Sequence, residues 1–332
     1  MAIKRGKNLA LAHEMKLSHL RSTLFLLLIP CLLIGSPIVT AQDSPSTDIR
    51  VMSFNLRYGS ADDGPNHWKL RQDLVRHAIG TVSPDLLGTQ ETLPFQAEFV
   101  GQQFPELEYV GRSREVDNPD GEQCALYFRR SRFDKLAQGH FWLSESPDQP
   151  GTKSWDSALP RMATWVLLHD RPTKRTVCFV NTHFDHVGQV AREESAKLIK
   201  RRAAALEGIG DDTWIVLTGD FNTGEDTPPY RAFRNGSESD WTDTYRAAFP
   251  ERKPEKEGTF GAWVGKADGP RIDWILVDPR FETRLATIES WNSSGRYPSD
   301  HFPVTATIRF PAAEAGGPDT SPDTPPVTGS AP

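Results

Sequence analysis

Cysteine is scarce in this chain, with only three among 332 residues. Cys31 falls in the N-terminal segment, which leaves Cys124 and Cys178, both in apolar runs of the kind that form strands. This spacing excludes a disulfide-rich scaffold and a thiolate zinc site, because both need closely spaced cysteine pairs. Two buried thiols and a single disulfide remain as alternatives for Cys124 and Cys178.

Long apolar runs are also absent, apart from residues 24–34. That run follows a basic segment and precedes small residues near Ala41, which is the layout of a secretory signal peptide. A transmembrane anchor is one alternative, but Pro30 interrupts the run, which is short for a bilayer span. A lipoprotein modified at Cys31 is a weaker alternative, because Pro30 is a poor residue before a lipidated cysteine. We therefore predict a signal peptide at residues 1–41 and a secreted or periplasmic protein without stable membrane insertion after cleavage.

The chain has no excess of positive charge, since its net charge is −6. Residues 1–41 hold five basic residues and one acidic residue, so cleavage would leave 33 basic and 43 acidic residues, a net charge of −10. Such a protein is not suited to long-range capture of polyanions, which counts against a nonspecific DNA-degrading enzyme.

Composition changes along the chain predict one folded domain. Residues 42–47 are typical of a short linker, and residues 311–332 are rich in Pro, Gly, Ser and Thr, which predicts a disordered tail. The folded domain therefore spans residues 48–310, and we expect a monomer.

Strand-like runs occur at residues 49–56, 85–89, 124–128, 163–168, 177–181, 214–217, 272–277 and 304–310. Helical periodicity occurs at residues 67–79, 95–104 and 189–207. Strands interleaved with fewer helices predict packed sheets with helices outside.

Two motifs place an acid and a second polar group at the end of an apolar run. They are Thr218-Gly219-Asp220-Phe221-Asn222 and Ser299-Asp300-His301. Carboxylate, amide and imidazole are the groups needed to bind Mg²⁺, hold a phosphate and activate a water. Asp220 can orient or deprotonate that water, and Asn222 can donate to a phosphoryl oxygen. An Asx turn after a strand is the alternative interpretation of Asp220 and Asn222.

Further polar residues lie at the ends of other strand-like runs. Asn55 follows one run, where it can bind a phosphate oxygen or orient a carboxylate, and Arg57 points to the same side of an extended strand. Glu91 is a candidate Mg²⁺ ligand. Glu122 precedes a strand and can pair with a histidine and hold it charged. Each of these residues is also compatible with a turn cap or a surface position.

The segment Asn181-Thr182-His183-Phe184-Asp185-His186 ends a strand with two histidines and an acid. Zinc is one interpretation, but no further His or Cys pair lies at zinc spacing, so a phosphate-binding role for His183 is preferred. Asp273 begins a dense apolar run, where an unpaired acid would be costly. His301 is a candidate partner, because a carboxylate that orients and charges an imidazole can stabilise negative charge.

Taken in order, these blocks resemble the endonuclease/exonuclease/phosphatase superfamily over residues 48–310. The blocks are Ser53-Phe54-Asn55, Gln90-Glu91, Asn181-Thr182-His183, Gly219-Asp220-Phe221-Asn222, Ile272-Asp273 and Ser299-Asp300-His301. The resemblance implies an α/β (α+β) four-layer sandwich, with two mixed β-sheets packed face to face and helices outside, as in deoxyribonucleases. It also implies phosphoester hydrolysis that depends on Mg²⁺, for which Mn²⁺ can substitute.

The resemblance also implies a role for each matching residue. Glu91 would hold the metal with help from Asn55 and Asp300. Asp220 would position or deprotonate water, while Asn222 and His183 would bind the phosphoryl group. His301, oriented by Asp273, would stabilise the charged transition state or act as the general base, and Glu122 would assist a histidine. In a bacterial secreted branch that the chain also resembles, the segments flanking the cleft suggest substrate contacts by Arg57, Arg161, Arg192, Trp142 and Trp155.

The predicted function is that of an exported, Mg²⁺-dependent phosphodiesterase or phosphatase. Its expected substrate is a small or exposed phosphoester, such as a phosphorylated sugar, a glycan or a lipid headgroup. One alternative is a secreted endonuclease or 3′–5′ exonuclease that acts on single-stranded nucleic acid. A binding module without activity is disfavoured, because every expected catalytic position is filled.

Overall fold

The computed structural model describes residues 47–234, 240–253 and 255–311. The predicted signal peptide at residues 1–41 and nearly all of the predicted tail lie outside the described residues.

The strands are β1 (Asp48–Asn55), β2 (Leu86–Thr92), β3 (Leu107–Val110), β4 (Gln123–Arg129), β5 (Phe133–Trp142), β6 (Met162–Asp170), β7 (Arg175–His183), β8 (Thr213–Asp220), β9 (Thr242–Asp243), β10 (Asp273–Val277), β11 (Glu282–Ile288) and β12 (Val304–Arg309). The helices are α1 (Gln72–Val82), α2 (Pro94–Gln103), α3 (Gln189–Ala203), α4 (Pro228–Phe233) and α5 (Thr244–Ala248).

The strands form two six-stranded sheets. The first sheet has the order β11-β12-β1-β2-β4-β3, and the second has the order β5-β6-β7-β8-β10-β9. Both sheets are mixed, because β1 pairs with β2 and β7 with β8 in parallel, while the other pairs are antiparallel. This arrangement confirms the predicted sandwich of two mixed sheets with helices outside. None of the helices in the described ranges combines the length and apolar character needed to cross a bilayer.

Successive side chains of a strand point to opposite faces of its sheet. In β1, Ile49 and Val51 belong to the core between the sheets, whereas Met52 and Phe54 pack beneath the outer helices α1 and α2. Both faces of this strand are therefore buried, which explains its continuous apolar sequence. On the second sheet, Val180 and its neighbours pack against α3 in the same way.

The space between the sheets is apolar at one end and polar at the other. At the polar end, the Asn181 side chain bridges the sheets by donating to the backbone oxygens of Thr89 and Ala125, each at 2.8 Å. Its oxygen accepts a hydrogen bond from Gln90 Nε2 at 2.7 Å. Gly88 allows this close approach, because a Cβ atom there would lie 2.6 Å from Asn181 Oδ1. This polar end is where the candidate functional residues lie.

The eight predicted strands are all present, but the structure adds elements and moves some boundaries. The helix predicted at residues 67–79 begins at Gln72, after two short 3₁₀ turns, and continues to Val82. Strands β3, β5, β9 and β11 and helices α4 and α5 were not predicted. Most side chains of β5 and β11 are exposed or half-buried, so these edge strands carry little apolar signal. Cys124 and Cys178 are both buried and are not bonded to each other.

Candidate active site

Strand register brings three of the predicted catalytic residues side by side. In the parallel pair of β7 and β8, His183 lies opposite Asp220. In the antiparallel pair of β8 and β10, Asp220 lies opposite Asp273. Asp220 therefore occupies the centre of a row of polar side chains that crosses three adjacent strands of the second sheet.

Asn55 connects the first sheet to this row. Its Nδ2 atom donates to Glu91 Oε1 at 3.0 Å and to Asp220 Oδ2 at 2.9 Å. Because β1 and β2 are parallel neighbours, Asn55 and Glu91 both lie at the same end of the first sheet. The other oxygen of Glu91 accepts a hydrogen bond from the Tyr58 backbone N–H at 2.7 Å. The Glu91 carboxylate is thus fixed by two donors before any ligand binds.

His301 lies between two carboxylates. Its Nδ1 atom is 3.0 Å from Asp273 Oδ2, and its Nε2 atom is 3.7 Å from Asp220 Oδ2. Burial alone would lower the pKa of His301, but the charges of Asp273 and Asp220 outweigh it and raise that pKa well above the ordinary value. The imidazole is therefore positively charged at neutral pH and can stabilise negative charge in the cleft.

His183 has the opposite character. Burial, together with the nearby charge of Arg161, lowers the pKa of His183 to about 3. Glu122 Oε1 is 3.6 Å from His183 Nδ1, but Glu122 is already paired with Arg114 at 2.9 Å. Burial and the neighbouring arginines favour the neutral ring of His183, so this pKa does not support the expectation that Glu122 holds the histidine charged.

The Asn222 amide is hydrogen-bonded within the site. Its Nδ2 atom donates to His183 Nε2 and to the Phe184 backbone oxygen, each at 3.0 Å. Both amide hydrogens are engaged, so donation to a phosphoryl oxygen would need one of these bonds to break. Asn222 thus holds the His183 ring, and donation to Nε2 requires the proton of a neutral imidazole to be on Nδ1.

Three residues of the site adopt left-handed backbone conformations, which residues other than glycine adopt less readily. The φ angles are 58° at Arg57, 54° at Glu91 and 50° at Asn222. Such conformations cost about 1–3 kcal/mol each and cluster at functional sites. At Glu91 the conformation coincides with an irregularity in the pairing of β2 with β4. The irregularity lets the carboxylate leave the sheet, as β-bulges beside active sites do.

The acidic residues of the site could form a metal site. Ligand atoms of Glu91, His183 and Asp220 lie within 4.8 Å of one another. Burial raises the pKa of Asp300, and the negative charge of Glu91 adds to this effect while His301 opposes it. Oxygen donors of this type suit a hard divalent ion. Asn55, the third predicted metal ligand, orients Glu91 and Asp220 through its amide nitrogen.

A cleft of about 900 Å³ is lined by the site residues Glu91, Glu122, His183, Asp220, Asn222, Asp300 and His301. Of the predicted substrate-binding residues, Arg57 and Arg161 line the cleft. The Arg57 guanidinium is clamped by both oxygens of Asp63, at 2.9 and 3.0 Å, and is 3.7 Å from Asp300. This pairing with Asp63, together with nearby Asp300 and Glu91, raises the pKa of Arg57 despite its burial.

Three predicted substrate contacts are not brought to this cleft. Trp142 is only 2% exposed, and its indole N–H donates to the Arg114 backbone oxygen at 2.7 Å. Trp142 packs with Cys124 and Met162, so its ring is part of a buried apolar cluster. Arg192 donates to the backbone oxygen of Asp185 at 2.9 Å. Trp155 is half-buried and, like the other two, does not line the cleft.

Sequence reasoning missed several residues that do line the cleft. Phe260 is 46% exposed, Tyr58 is 36% exposed, and Lys266 adds a cation that is paired with Asp268 at 3.6 Å. The Phe260 ring packs edge-on against His301, with ring centroids 5.1 Å apart. Phe260 and Lys266 lie in an irregular segment before β10, where no periodic pattern or strand end marks a functional position.

Comparisons with known proteins agree with this architecture. A family model described as the endonuclease/exonuclease/phosphatase family matches residues 52–301. An endonuclease/exonuclease/phosphatase structure from Bacteroides vulgatus is 32% identical, with a TM-score of 0.73, and the match covers 80% of this chain and all of that one. A mannosyl-6-phosphatase from Bacteroides thetaiotaomicron is 31% identical, with a TM-score of 0.70 over 79% of this chain and all of that one. The human Nocturnin catalytic domain is 20% identical, with a TM-score of 0.63 over 80% of this chain and 95% of that one, and shares the fold. No curated protein matches the chain.

Proposed function

Because the chain belongs to the endonuclease/exonuclease/phosphatase family, we propose that it is an exported, Mg²⁺-dependent hydrolase of small phosphoesters. The observation that carries the chemistry is the row of Asp220, Asp273 and His301, which Asn55 joins to Glu91. Of these residues, Glu91, Asp220 and His301 line one cleft. Such a row places a general base, a charged hydrogen-bond donor and an acidic metal site close together. Its completeness argues against a binding module without activity.

Asp220 and His301 would carry out the proton and charge chemistry. Burial, and then the charge of Asp273, raise the pKa of Asp220, and a more basic carboxylate accepts a proton from water more readily. The charged His301 would donate to a phosphoryl oxygen and stabilise the negative charge that develops there. Its raised pKa supports this role over that of a general base, since a charged imidazole has no free acceptor nitrogen.

Glu91 would hold the divalent cation, with Asp300 nearby and Asn55 fixing the Glu91 carboxylate. When bound, Mg²⁺ would supply positive charge that polarises the phosphoryl oxygens and favours attack by water. His183 would remain neutral and present its Nδ1–H beside Glu122.

A phosphorylated sugar is the favoured substrate class. The 31% identical structure from Bacteroides thetaiotaomicron is described as a mannosyl-6-phosphatase, which supports a sugar phosphate for this chain. The net charge of −10 after the predicted cleavage supports the same choice, because it disfavours capture of a polyanion. Export is part of the proposal on the strength of the N-terminal sequence pattern.

A single-stranded nucleic acid is the second candidate substrate. The specific observation in its favour is the pair of exposed aromatic rings at the cleft, Tyr58 and Phe260, on which bases could stack.

The test is to measure Mg²⁺-dependent turnover of four compounds in parallel. They are mannose 6-phosphate, p-nitrophenyl phosphate, bis-p-nitrophenyl phosphate and a labelled single-stranded oligonucleotide. Asp220→Asn serves as the inactive control. The proposal expects turnover of the small esters that requires Mg²⁺ and Asp220. Turnover of the oligonucleotide alone would promote the nuclease, and no turnover of any compound would refute the proposed activity.

A further inference from the structure

Arg161 combines deep burial with an unsatisfied donor at the cleft. It lies directly before β6 and is only 3% exposed, yet it lines the cleft together with His183, Asp220 and His301. Its Nη1 atom is buried and has no hydrogen-bond partner among the described residues. Leaving a buried donor without a partner is costly, so a hydrogen-bond acceptor that reached Nη1 from the cleft would be stabilised there.

The other two nitrogen atoms of the Arg161 guanidinium contact neighbouring side chains of the protein. Its Nε atom is 3.5 Å from Asp185 Oδ2, and its Nη2 atom donates to His186 Nδ1 at 3.0 Å. Asp185 is fixed in turn, because its Oδ1 atom accepts from the backbone N–H groups of Val187 at 3.0 Å and Gly188 at 2.8 Å. With Nε and Nη2 engaged, Nη1 is the donor that remains for a substrate.

The local charge balance also favours an anion beside Arg161. Burial, followed by the charge of Arg114, lowers the pKa of Arg161, although the charges of Glu122 and Asp185 oppose this effect. The Asp185 carboxylate is its ion-pair partner at 3.5 Å, a distance longer than that of a close pair. A second negative charge in the cleft would therefore stabilise the buried guanidinium.

Phosphomonoesters and phosphodiesters differ in what they offer to such a donor. A monoester presents three non-bridging oxygens and carries up to two negative charges at neutral pH, whereas a diester presents two such oxygens and one charge. Under the proposed function, the divalent cation and His301 account for two non-bridging oxygens. A further buried guanidinium is matched by the third oxygen of a monoester, but in a diester that position carries an organic group.

We propose that Arg161, held by Asp185 and His186, makes this cleft selective for terminal phosphates, so that the enzyme is a phosphomonoesterase rather than a phosphodiesterase. This inference rests on the proposed function and narrows its substrate class to monoesters. Arg161 would act as a specificity determinant by contacting the phosphate group itself.

The experiment compares kcat/KM for p-nitrophenyl phosphate and bis-p-nitrophenyl phosphate in four proteins. They are the wild type, Arg161→Gln, Arg161→Lys and Arg192→Gln. The last is a matched control, because Arg192 also contacts Asp185, through its backbone oxygen, but does not line the cleft. Melting temperatures verify that each variant is folded, and Arg161→Lys keeps a positive charge beside Asp185 should Arg161→Gln fail to fold.

The wild type is expected to prefer the monoester. Loss of one charge-assisted hydrogen bond in Arg161→Gln should lower monoester kcat/KM roughly 10- to 100-fold while leaving diester turnover within about threefold. Arg161→Lys should lie between the wild type and Arg161→Gln, and Arg192→Gln should keep the wild-type ratio. A wild-type preference for the diester, or equal losses for both substrates in Arg161→Gln, would overturn the inference.

A second experiment measures the affinities of inorganic phosphate and dimethyl phosphate by calorimetry in the presence of Mg²⁺. It tests the role of Arg161 without requiring turnover. If the wild type hydrolyses neither ester, the proposed function fails, but the role of Arg161 can still be tested by binding. The wild type should bind inorganic phosphate more tightly than dimethyl phosphate, and Arg161→Gln should lose that difference. Equal phosphate affinity in the wild type and Arg161→Gln would refute the inference on its own.

Discussion

Asp273 Oδ2 lies 3.0 Å from His301 Nδ1, although 28 residues separate the two in sequence. Both residues are buried, with 1% and 5% of their surfaces exposed. Asp273 starts β10 in the second sheet, whereas His301 lies just before β12 in the first, so the pair joins the two sheets. The pair fixes the ring orientation and the charge of the imidazole that faces Asp220.

The first prediction is that Asp273 and His301 act as a unit. His301→Ala should lower kcat/KM by about 10²–10⁴-fold, the range for a positioned proton-transfer or charge-stabilising group. Asp273→Asn should cause much of that loss, and the double variant should be little worse than His301→Ala. A double-mutant cycle on the preferred substrate measures the coupling. His140→Ala is the control, since His140 pairs with Thr164 and does not line the cleft. Additive losses would show that the two residues act independently.

The positions of the catalytic blocks could be predicted because their signals are local. Asn55, Glu91, His183 and Asp220 each end a short apolar run, and such runs are recognisable without knowledge of the fold. The predicted pairing of Asp273 with His301 followed from the cost of burying an unpaired acid. Here the structure and the sequence-based expectation agree.

Other features depend on tertiary context that no local pattern encodes. The lowered pKa of His183 arises from burial and from Arg161, which is distant in sequence. The interior position of Trp142 arises from its packing with Cys124 and Met162. The edge strands β5 and β11 are held by pairing with β6 and β12 rather than by apolar faces of their own.

The second prediction concerns the metal. EDTA should abolish hydrolysis, and Mg²⁺ or Mn²⁺ should restore it, because the site offers oxygen donors rather than thiolates. Glu91→Ala should weaken Mg²⁺ binding, measured by calorimetry, by at least roughly tenfold, since it removes a carboxylate ligand. Glu98→Ala, which removes an exposed acid on α2, is the matched control and should bind Mg²⁺ like the wild type. Full activity in EDTA would refute the metal assignment.

The third prediction concerns Gly88, where the two sheets approach closely. A Cβ atom at this position would lie 2.6 Å from Asn181 Oδ1 and closer still to Thr218 Oγ1. Gly88→Ala should therefore destabilise the protein by about 1–3 kcal/mol, the usual cost of overpacking. Gly101→Ala is the control, because Gly101 lies in α2 with no atom within 4 Å of the added carbon, and helix propensity favours alanine. Chemical denaturation of both variants measures the difference, and equal stability would contradict the tight contact.

The fourth prediction concerns a buried ion pair between Asp243 and Arg271, with 0% and 1% of their side chains exposed. Asp243 also accepts a hydrogen bond from Tyr230 Oη at 2.8 Å. Burial alone would raise the pKa of Asp243, but the Arg271 charge and these hydrogen bonds outweigh it and lower that pKa. Asp243→Asn should cost about 1.5–3 kcal/mol, because it removes one of the two carboxylates, Asp243 and Glu225, that pair with the buried Arg271.

The lowered pKa also sets a pH dependence for this stabilisation. A carboxyl group with a lower pKa in the folded state stabilises the protein fully above its unfolded-state pKa of about 4. The contribution is lost as the pH falls below that value and through the folded-state pKa. Denaturation at pH 7 and pH 3 should therefore show a smaller difference between wild type and Asp243→Asn at pH 3. Asp226→Asn is the control, because Asp226 forms an exposed pair with Arg252 worth roughly 0–1 kcal/mol. A difference that does not change with pH would contradict the assignment.

The fifth prediction separates a small phosphoester from a nucleic acid by its salt dependence. A protein that grips a single strand through six phosphates shows a log–log salt slope of about −4, because each contact releases counterions. The net charge of −10 after the predicted cleavage offers little grip outside the cleft. We therefore expect kcat/KM for the preferred substrate to fall with a slope no steeper than about −1 to −2, as one or two cation contacts would give. Hydrolysis of a sugar phosphate and of a labelled oligonucleotide across a salt series measures both slopes. A strong preference for the oligonucleotide at low salt, lost steeply as salt rises, would refute the small-substrate assignment and favour the nuclease.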